Sequence, residues 1–240
     1  MGINKLLKKT SSALNGLFEQ FGANMIEHND QTPAGRQDVQ TGCSIDCPRD
    51  TVIVEDVSGS MGDADYHPTR LAGGIEASIE YINIRAKQSP KDRIAIVTFD
   101  NRAWVVIDLS SVAQKEELIK AIRQLEIKGG TDIAEGLKKP AEIFEKHPDS
   151  TNKKHIILLT DGHGGHPVKI ANKLKDKYSA ILNVVGIGGS SKDVNESLLR
   201  KVATTDPDGF NHYRFIKDSM DLKEHYKHLA TGLIWHGGRK

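Results

Sequence analysis

Four short, nearly unbroken apolar runs dictate what this chain can become: Val52-Ile53-Val54, Ile94-Ala95-Ile96-Val97, Ile156-Ile157-Leu158-Leu159 and Ile181-Leu182-Asn183-Val184-Val185. A continuously apolar strand is buried on both faces, as in a parallel sheet covered by helices. The segments between the runs supply those helices. Leu71, Ile75, Ile79 and Ile82 recur at helical spacing, as do Leu118, Ile122 and Leu125, then Ile133, Leu137, Ala141 and Phe144. Ile170, Ala171 and Leu174 mark a fourth helix, Val194, Leu198 and Val202 a fifth, and Leu222, Tyr226, Leu229 and Leu233 the last. Asp100-Asn101, between Ile94–Phe99 and Trp104–Ile107, predicts a tight hairpin and one antiparallel edge strand. Phe215-Ile216 adds a sixth strand. The expected fold class is α/β: a doubly wound, mostly parallel six-stranded sheet with one antiparallel edge strand and helices on both faces.

Around this regular part, residues 51–233, the pattern changes. Residues 1–27 read as an amphipathic helix carrying Ile3, Leu7, Leu14, Leu17 and Phe21 on its apolar side. Residues 28–50 are rich in turn formers and read as a linker, and 234–240 as a short tail. Lys and Arg total 33 against 32 Asp and Glu, a balance that excludes a generally basic nucleic-acid binder. No apolar run reaches the roughly 20 residues of a membrane helix. The first residues lack the apolar region of a signal peptide, and Leu6 stands where a myristoylation motif places Ser or Thr. Cys43 and Cys47, the only cysteines, read as two free thiols of a reduced, cytoplasmic protein.

Open α/β sheets hold ligands outside the carboxyl ends of their strands. Three polar segments belong on that rim: Glu55-Asp56-Val57-Ser58-Gly59-Ser60-Met61-Gly62 after the first strand, Lys128-Gly129-Gly130-Thr131-Asp132 before the third helix, and Leu158-Leu159-Thr160-Asp161-Gly162 at the end of the fourth strand. They offer hydroxyl and carboxylate oxygens and no thiolate, a donor set that selects Mg²⁺, Mn²⁺ or Ca²⁺ over softer metals. Asp56, Ser58 and Ser60, at alternate positions, converge on one ion if the Gly59 turn wraps around it. Thr131 and Asp161 would arrive from the other two loops. Two carboxylates leave a divalent ion electrophilic, so an outside carboxylate is a natural further ligand. The competing reading is that Asp56 and Asp161 cap the helices that follow them.

Asp56-x-Ser58-x-Ser60 after a buried strand, then Gly-Gly-Thr131-Asp132, then Leu-Thr-Asp161-Gly, resembles the von Willebrand factor A domain with an intact metal-ion-dependent adhesion site. The likeness covers about residues 51–233. It implies Ser58 and Ser60 as direct Mg²⁺ ligands, Thr131 direct or through water, and Asp56 and Asp161 mostly through water. It also implies a partner protein's Glu or Asp as the last ligand, with the first strand beside the fourth. Intracellular bacterial members, adaptors or regulatory subunits of stress or conflict systems, resemble it more than secreted adhesins do.

The expected function is thus metal-dependent protein binding rather than catalysis. One alternative is a structural subunit that recruits a partner helix through residues 3–21, its metal only stabilising loops. The other is a Mg²⁺-dependent hydrolase, for which the sequence is poorly equipped. Ser58 stands where aspartyl-phosphate phosphatases need a second Asp, the P-loop motif is absent, and Ser60 lacks the leading glycine of a nucleophile elbow. His163 and His166 read as exposed loop residues shaping a partner surface, and Gly186-Ile187-Gly188-Gly189 as a tight turn. The pair Gly73-Gly74, costing about 1 kcal/mol each in a helix, implies close helix–sheet contact.

Overall fold

A computed structural model describes residues 47–232. The predicted amphipathic helix (1–27), most of the predicted linker (28–50), Leu233 and the tail lie outside the described residues. The strands are β1 (Arg49–Asp56), β2 (Arg93–Phe99), β3 (Ala103–Ser111), β4 (Lys153–Thr160), β5 (Ile181–Ile187) and β6 (Tyr213–Ile216). The helices are α1 (Arg70–Gln88), α2 (Lys115–Arg123), α3 (Ile133–Lys146), α4 (Val168–Tyr178), α5 (Glu196–Val202) and α6 (Ser219–Thr231). β1 begins two residues before the expected boundary at Thr51.

The sheet order is β3-β2-β1-β4-β5-β6. Every pairing is parallel except that of β2 with β3, which the Asp100–Arg102 turn closes through an Asp100 N–H to Arg102 carbonyl bond of 2.8 Å. Alternation along β1 divides the interior into two layers. Val52 and Val54 pack with Ile133, Leu137 and Phe144 of α3, Leu174 of α4, and Leu199 and Val202 of α5. Ile53, on the opposite face, packs with Leu71 and Ile82 of α1, Leu118 and Ile122 of α2, and Leu222 and Tyr226 of α6. Helices therefore cover both faces, and β1 sits centrally because all eight of its residues are buried. Capping starts the helices: Thr69 accepts from the Ala72 N–H, Asp132 from Ala134 and Glu135, and Asp218 from Met220 and Asp221.

Of the glycine pair of α1, Gly74 stands against the sheet and Gly73 against Tyr66 of the preceding loop. A Cβ on Gly74 would lie 2.4 Å from Leu159 Cδ2, and one on Gly73 2.5 Å from the Tyr66 ring. One helix position, Leu198, differs from the periodic reading. In α5 the fully buried residue is Leu199 rather than Leu198, whereas Leu229 does pack, partly buried, against the core beside the fully buried Ala230.

The expectation of two free thiols is overturned: Cys47 is disulfide-bonded. The only other cysteine in the sequence is Cys43, outside the described residues. Spacing alone could not decide oxidation.

Candidate metal centre

β1 and β4 are adjacent and parallel, with Glu55 opposite Leu159, so the chain leaves both strands on the same rim. Asp56 is fully buried at the end of β1. One of its oxygens accepts the Ser58 N–H at 2.9 Å and the other the Thr160 hydroxyl at 2.6 Å. Both donors are neutral. Burial raises its pKa to about 6, Ser58 and Thr160 oppose the rise, and the charge of Asp161 adds to it. Next to it Ser58 Oγ lies 3.4 Å from Ser60 Oγ, and the Ser60 hydroxyl donates to Asp161 Oδ2 at 2.5 Å. Asp161, 1% exposed, also accepts the His163 N–H on Oδ1 at 3.1 Å. Neither aspartate caps a helix: Ser58 precedes the short 3-10 turn Gly59–Gly62, and Pro167 stands at the start of α4. The capping alternative is thereby excluded.

The loop before α3 is tied to the same rim by backbone. The Gly59 N–H donates to the Gly129 carbonyl at 2.8 Å and the Lys128 N–H to the Val57 carbonyl at 2.6 Å. Thr131 is half-buried there, one residue before the Asp132 cap. Among the described residues, no hydrogen bond joins its hydroxyl to the other four candidates. The loop after β4 reaches it through glycine. Gly164 has φ +102°, and a Cβ on it would lie 2.1 Å from the Thr131 carbonyl oxygen. Gly165 has φ +74° and would press 2.2 Å from Asp132 Oδ1. Only glycine permits both that backbone and that approach.

The rim opens into a cleft of about 760 Å³ lined by Ser60, Asp63, Asp65, Arg70, Asp161, His163, Lys192 and Asp193. His163 is exposed, with Nε2 2.9 Å from the Asp193 carbonyl oxygen, and His166 is exposed. Among the described residues no group of three or more His, Cys, Asp and Glu side chains could hold a metal, so any ion here relies on hydroxyls. The donor set fits that demand. Asp56 is a buried carboxylate without a cationic contact among the described residues, and two hydroxyls and a second carboxylate stand beside it.

Thr160 belongs to the Leu-Thr-Asp161-Gly segment although nothing along the chain marks its partner, and Arg70 and Asp65 carry no local signal at all. Thr160 holds Asp56, whereas Arg70 and Asp65 form a fork: Arg70 Nε donates to Asp65 Oδ1 at 3.0 Å and Nη2 to Oδ2 at 2.5 Å. Arg70 Nη1 then reaches Asp161 Oδ2 at 3.3 Å. The Gly189 N–H donates to Asp65 at 2.8 Å, which accounts for the turn after β5.

Residues 51–163 match the family model of the von Willebrand factor type A domain. An uncharacterized protein, sll0103, from Synechocystis is 29% identical over 157 residues, covering 63% of this chain and 35% of that protein. The chain spans less than half the length of the curated relatives it matches. The von Willebrand factor domain of the type V pili tip protein Mfa5 from Porphyromonas gingivalis superposes with a TM-score of 0.65 at 16% identity, covering 82% of this chain and 99% of that one. Proximal thread matrix protein 1 from the mussel byssus, solved with a zinc-occupied metal-ion-dependent adhesion site, superposes at 0.63 with 21% identity, covering 78% of this chain and 46% of that one. Sheet order and helix placement agree with the solved von Willebrand factor type A folds it superposes on, and residues 51–163 are the part that matches that family's model.

Proposed function

We propose that this domain binds a protein partner through a divalent ion held by Asp56, Ser58, Ser60, Thr131 and Asp161. The observation that carries the reading is the fully buried Asp56 carboxylate, met only by the neutral donors Ser58 N–H and Thr160 hydroxyl, with the second carboxylate, Asp161, and the Ser58 and Ser60 hydroxyls on the same rim. A cation offsets the cost of that burial. Mg²⁺, Mn²⁺ or Ca²⁺ suits hydroxyl and carboxylate oxygens, and the mussel protein's occupied site supports a divalent ion at this place in the fold. When bound, the ion supplies an exchangeable coordination position that accepts a Glu or Asp side chain of the partner. The Ser60 hydroxyl can donate its proton to Asp161 and still offer lone pairs to the ion.

The cleft makes the ion obligatory for an acidic ligand. Asp63, Asp65, Asp161 and Asp193 outnumber Arg70 and Lys192 among its charged lining residues, so a bare carboxylate is repelled. Beside the rim, Ile127 is 42% and Trp104 39% exposed, and Lys128 lies 4.4 Å from the Trp104 ring centroid. This apolar shoulder gives a partner contact area that the ion lacks. His163, tied to the Asp193 carbonyl, is not aimed at Ser60 as a base, which supports binding over catalysis. An adaptor or regulatory role in a bacterial stress or conflict system is the biological form of this reading.

Capture from a native lysate with wild type and Asp161→Ala, each in Mg²⁺ and in EDTA, tests it. A partner held only by wild type in Mg²⁺ is expected. A partner retained under all four conditions would sink the metal-bridged mechanism.

A further inference from the structure

Arg70 has no place in the donor set, yet it touches it. The side chain is 6% exposed, and the fork to Asp65 fixes its plane. Asp65 is in turn anchored by the Gly189 N–H, and Asp63 Oδ2 lies 3.7 Å from Nη2. The remaining edge of the guanidinium therefore faces Asp161 Oδ2, the same oxygen that accepts the Ser60 proton. Asp161 thus has its counter-ion within the protein, whereas Asp56 does not.

We propose that Arg70 is a resident counter-cation that sets the metal affinity of the site, competing with the divalent ion for Asp161. The inference rests on the proposed metal-binding reading. Its physical basis is Coulombic: a fixed positive charge on a ligand oxygen disfavours a second, doubly charged cation there, and in a buried, poorly screened site the effect is large. The same arginine keeps Asp63, Asp65 and Asp161 from repelling one another when no ion is bound. Arg70 is a positioning residue with two consequences of opposite sign: it weakens metal binding and stabilises the metal-free domain. Asp65 shares the role, because without the fork the guanidinium has no fixed direction.

Titration calorimetry of the full chain with Mg²⁺ and with Mn²⁺, on wild type, Arg70→Gln, Arg70→Lys and Asp161→Ala, tests the proposal, alongside thermal melts in EDTA and in Mg²⁺. Arg70→Gln is expected to bind both ions at least tenfold more tightly than wild type. It should also melt lower in EDTA and gain more from Mg²⁺. Arg70→Lys, which keeps the charge, should stay within about threefold of wild type, roughly the 0.7 kcal/mol that threefold represents. Metal bound by wild type and lost in Asp161→Ala, but equally tight or weaker in a folded Arg70→Gln, overturns the counter-cation role and leaves the metal site standing. No metal bound by any of the four proteins overturns the metal-binding reading itself. Metal bound by Arg70→Gln alone supports the inference in its strongest form.

Discussion

Asp50 and Asp56 lie on the same buried strand and meet opposite surroundings. Asp50 accepts from Arg93 at 2.9 and 2.8 Å, Ser150 at 2.6 Å, Asn152 at 2.9 Å and Lys154 at 2.8 Å. Burial pushes its pKa up, but Arg93, Lys154 and Ser150 outweigh burial and hold it well below the usual carboxylate range. Asp50→Asn leaves Arg93 and Lys154 without their counter-charge and is expected to cost about 3–5 kcal/mol, read as a shifted urea midpoint. Asp56→Asn should do the reverse in EDTA, raising the melting temperature by removing an uncompensated buried charge, while abolishing any Mg²⁺-dependent shift. His225 and His155, both held below the usual imidazole range mainly by burial, cost the fold stability as pH falls. Although His225 is half-buried as a whole, its Nδ1 is sealed without a partner, and burial, aided by Arg214 and His228, lowers its pKa to about 3. A depressed folded-state pKa means that the unfolded chain binds the proton first, so stability is full above about 6.5 and is lost as pH falls toward 3. Denaturation at pH 6.5 and 4.5 should show His225→Asn losing about 1 kcal/mol less than wild type, after discounting for partial hydration.

At the scale of elements, the loop between β4 and α4 decides whether the site exists. Its glycines are visible in the sequence as Asp161-Gly-His-Gly-Gly-His, but their reason is not: Gly164 is required by the Thr131 carbonyl, which is 33 positions away in the chain. Gly164→Ala combines strain at φ +102° with a backbone overlap. It should cost about 1–3 kcal/mol of stability and at least tenfold in Mg²⁺ affinity by parting Thr131 from Asp161, measurable by melting and calorimetry. The hairpin, the parallel strands and the order of helices were all legible, because period-2 and period-3.6 patterns need no distant partner. Fine rotation was not: Leu199 rather than Leu198 faces the core of α5, a choice that packing against β5 makes.

For the whole molecule, any ion that binds only the folded state adds stability by mass action, about 2.7 kcal/mol at a hundredfold excess over Kd. Chelation should lower the melting temperature correspondingly, and Asp161→Ala should be insensitive to it. The Cys47 disulfide bears on where the molecule works. A cytoplasmic setting, expected from the sequence, requires this bond to be open in the cell, since that compartment keeps thiols reduced. Acid quenching followed by thiol alkylation should then label both Cys43 and Cys47, and protected cysteines would place the protein in an oxidising compartment. Among the described residues, no helix is long and apolar enough to cross a membrane.

By itself the sequence determined the α/β architecture and singled out five oxygen-bearing candidates, Asp56, Ser58, Ser60, Thr131 and Asp161, since burial patterns and motif spacing are local properties; the place of the first strand beside the fourth came from the family resemblance. Only the tertiary structure decided that Thr160 holds Asp56, that Asp65 aims Arg70 at Asp161, and that Asp50 gathers its donors. Each of these depends on which side chains are brought within 2.5–3.3 Å once β1 and β4 lie side by side, and no pattern along the chain encodes that distance.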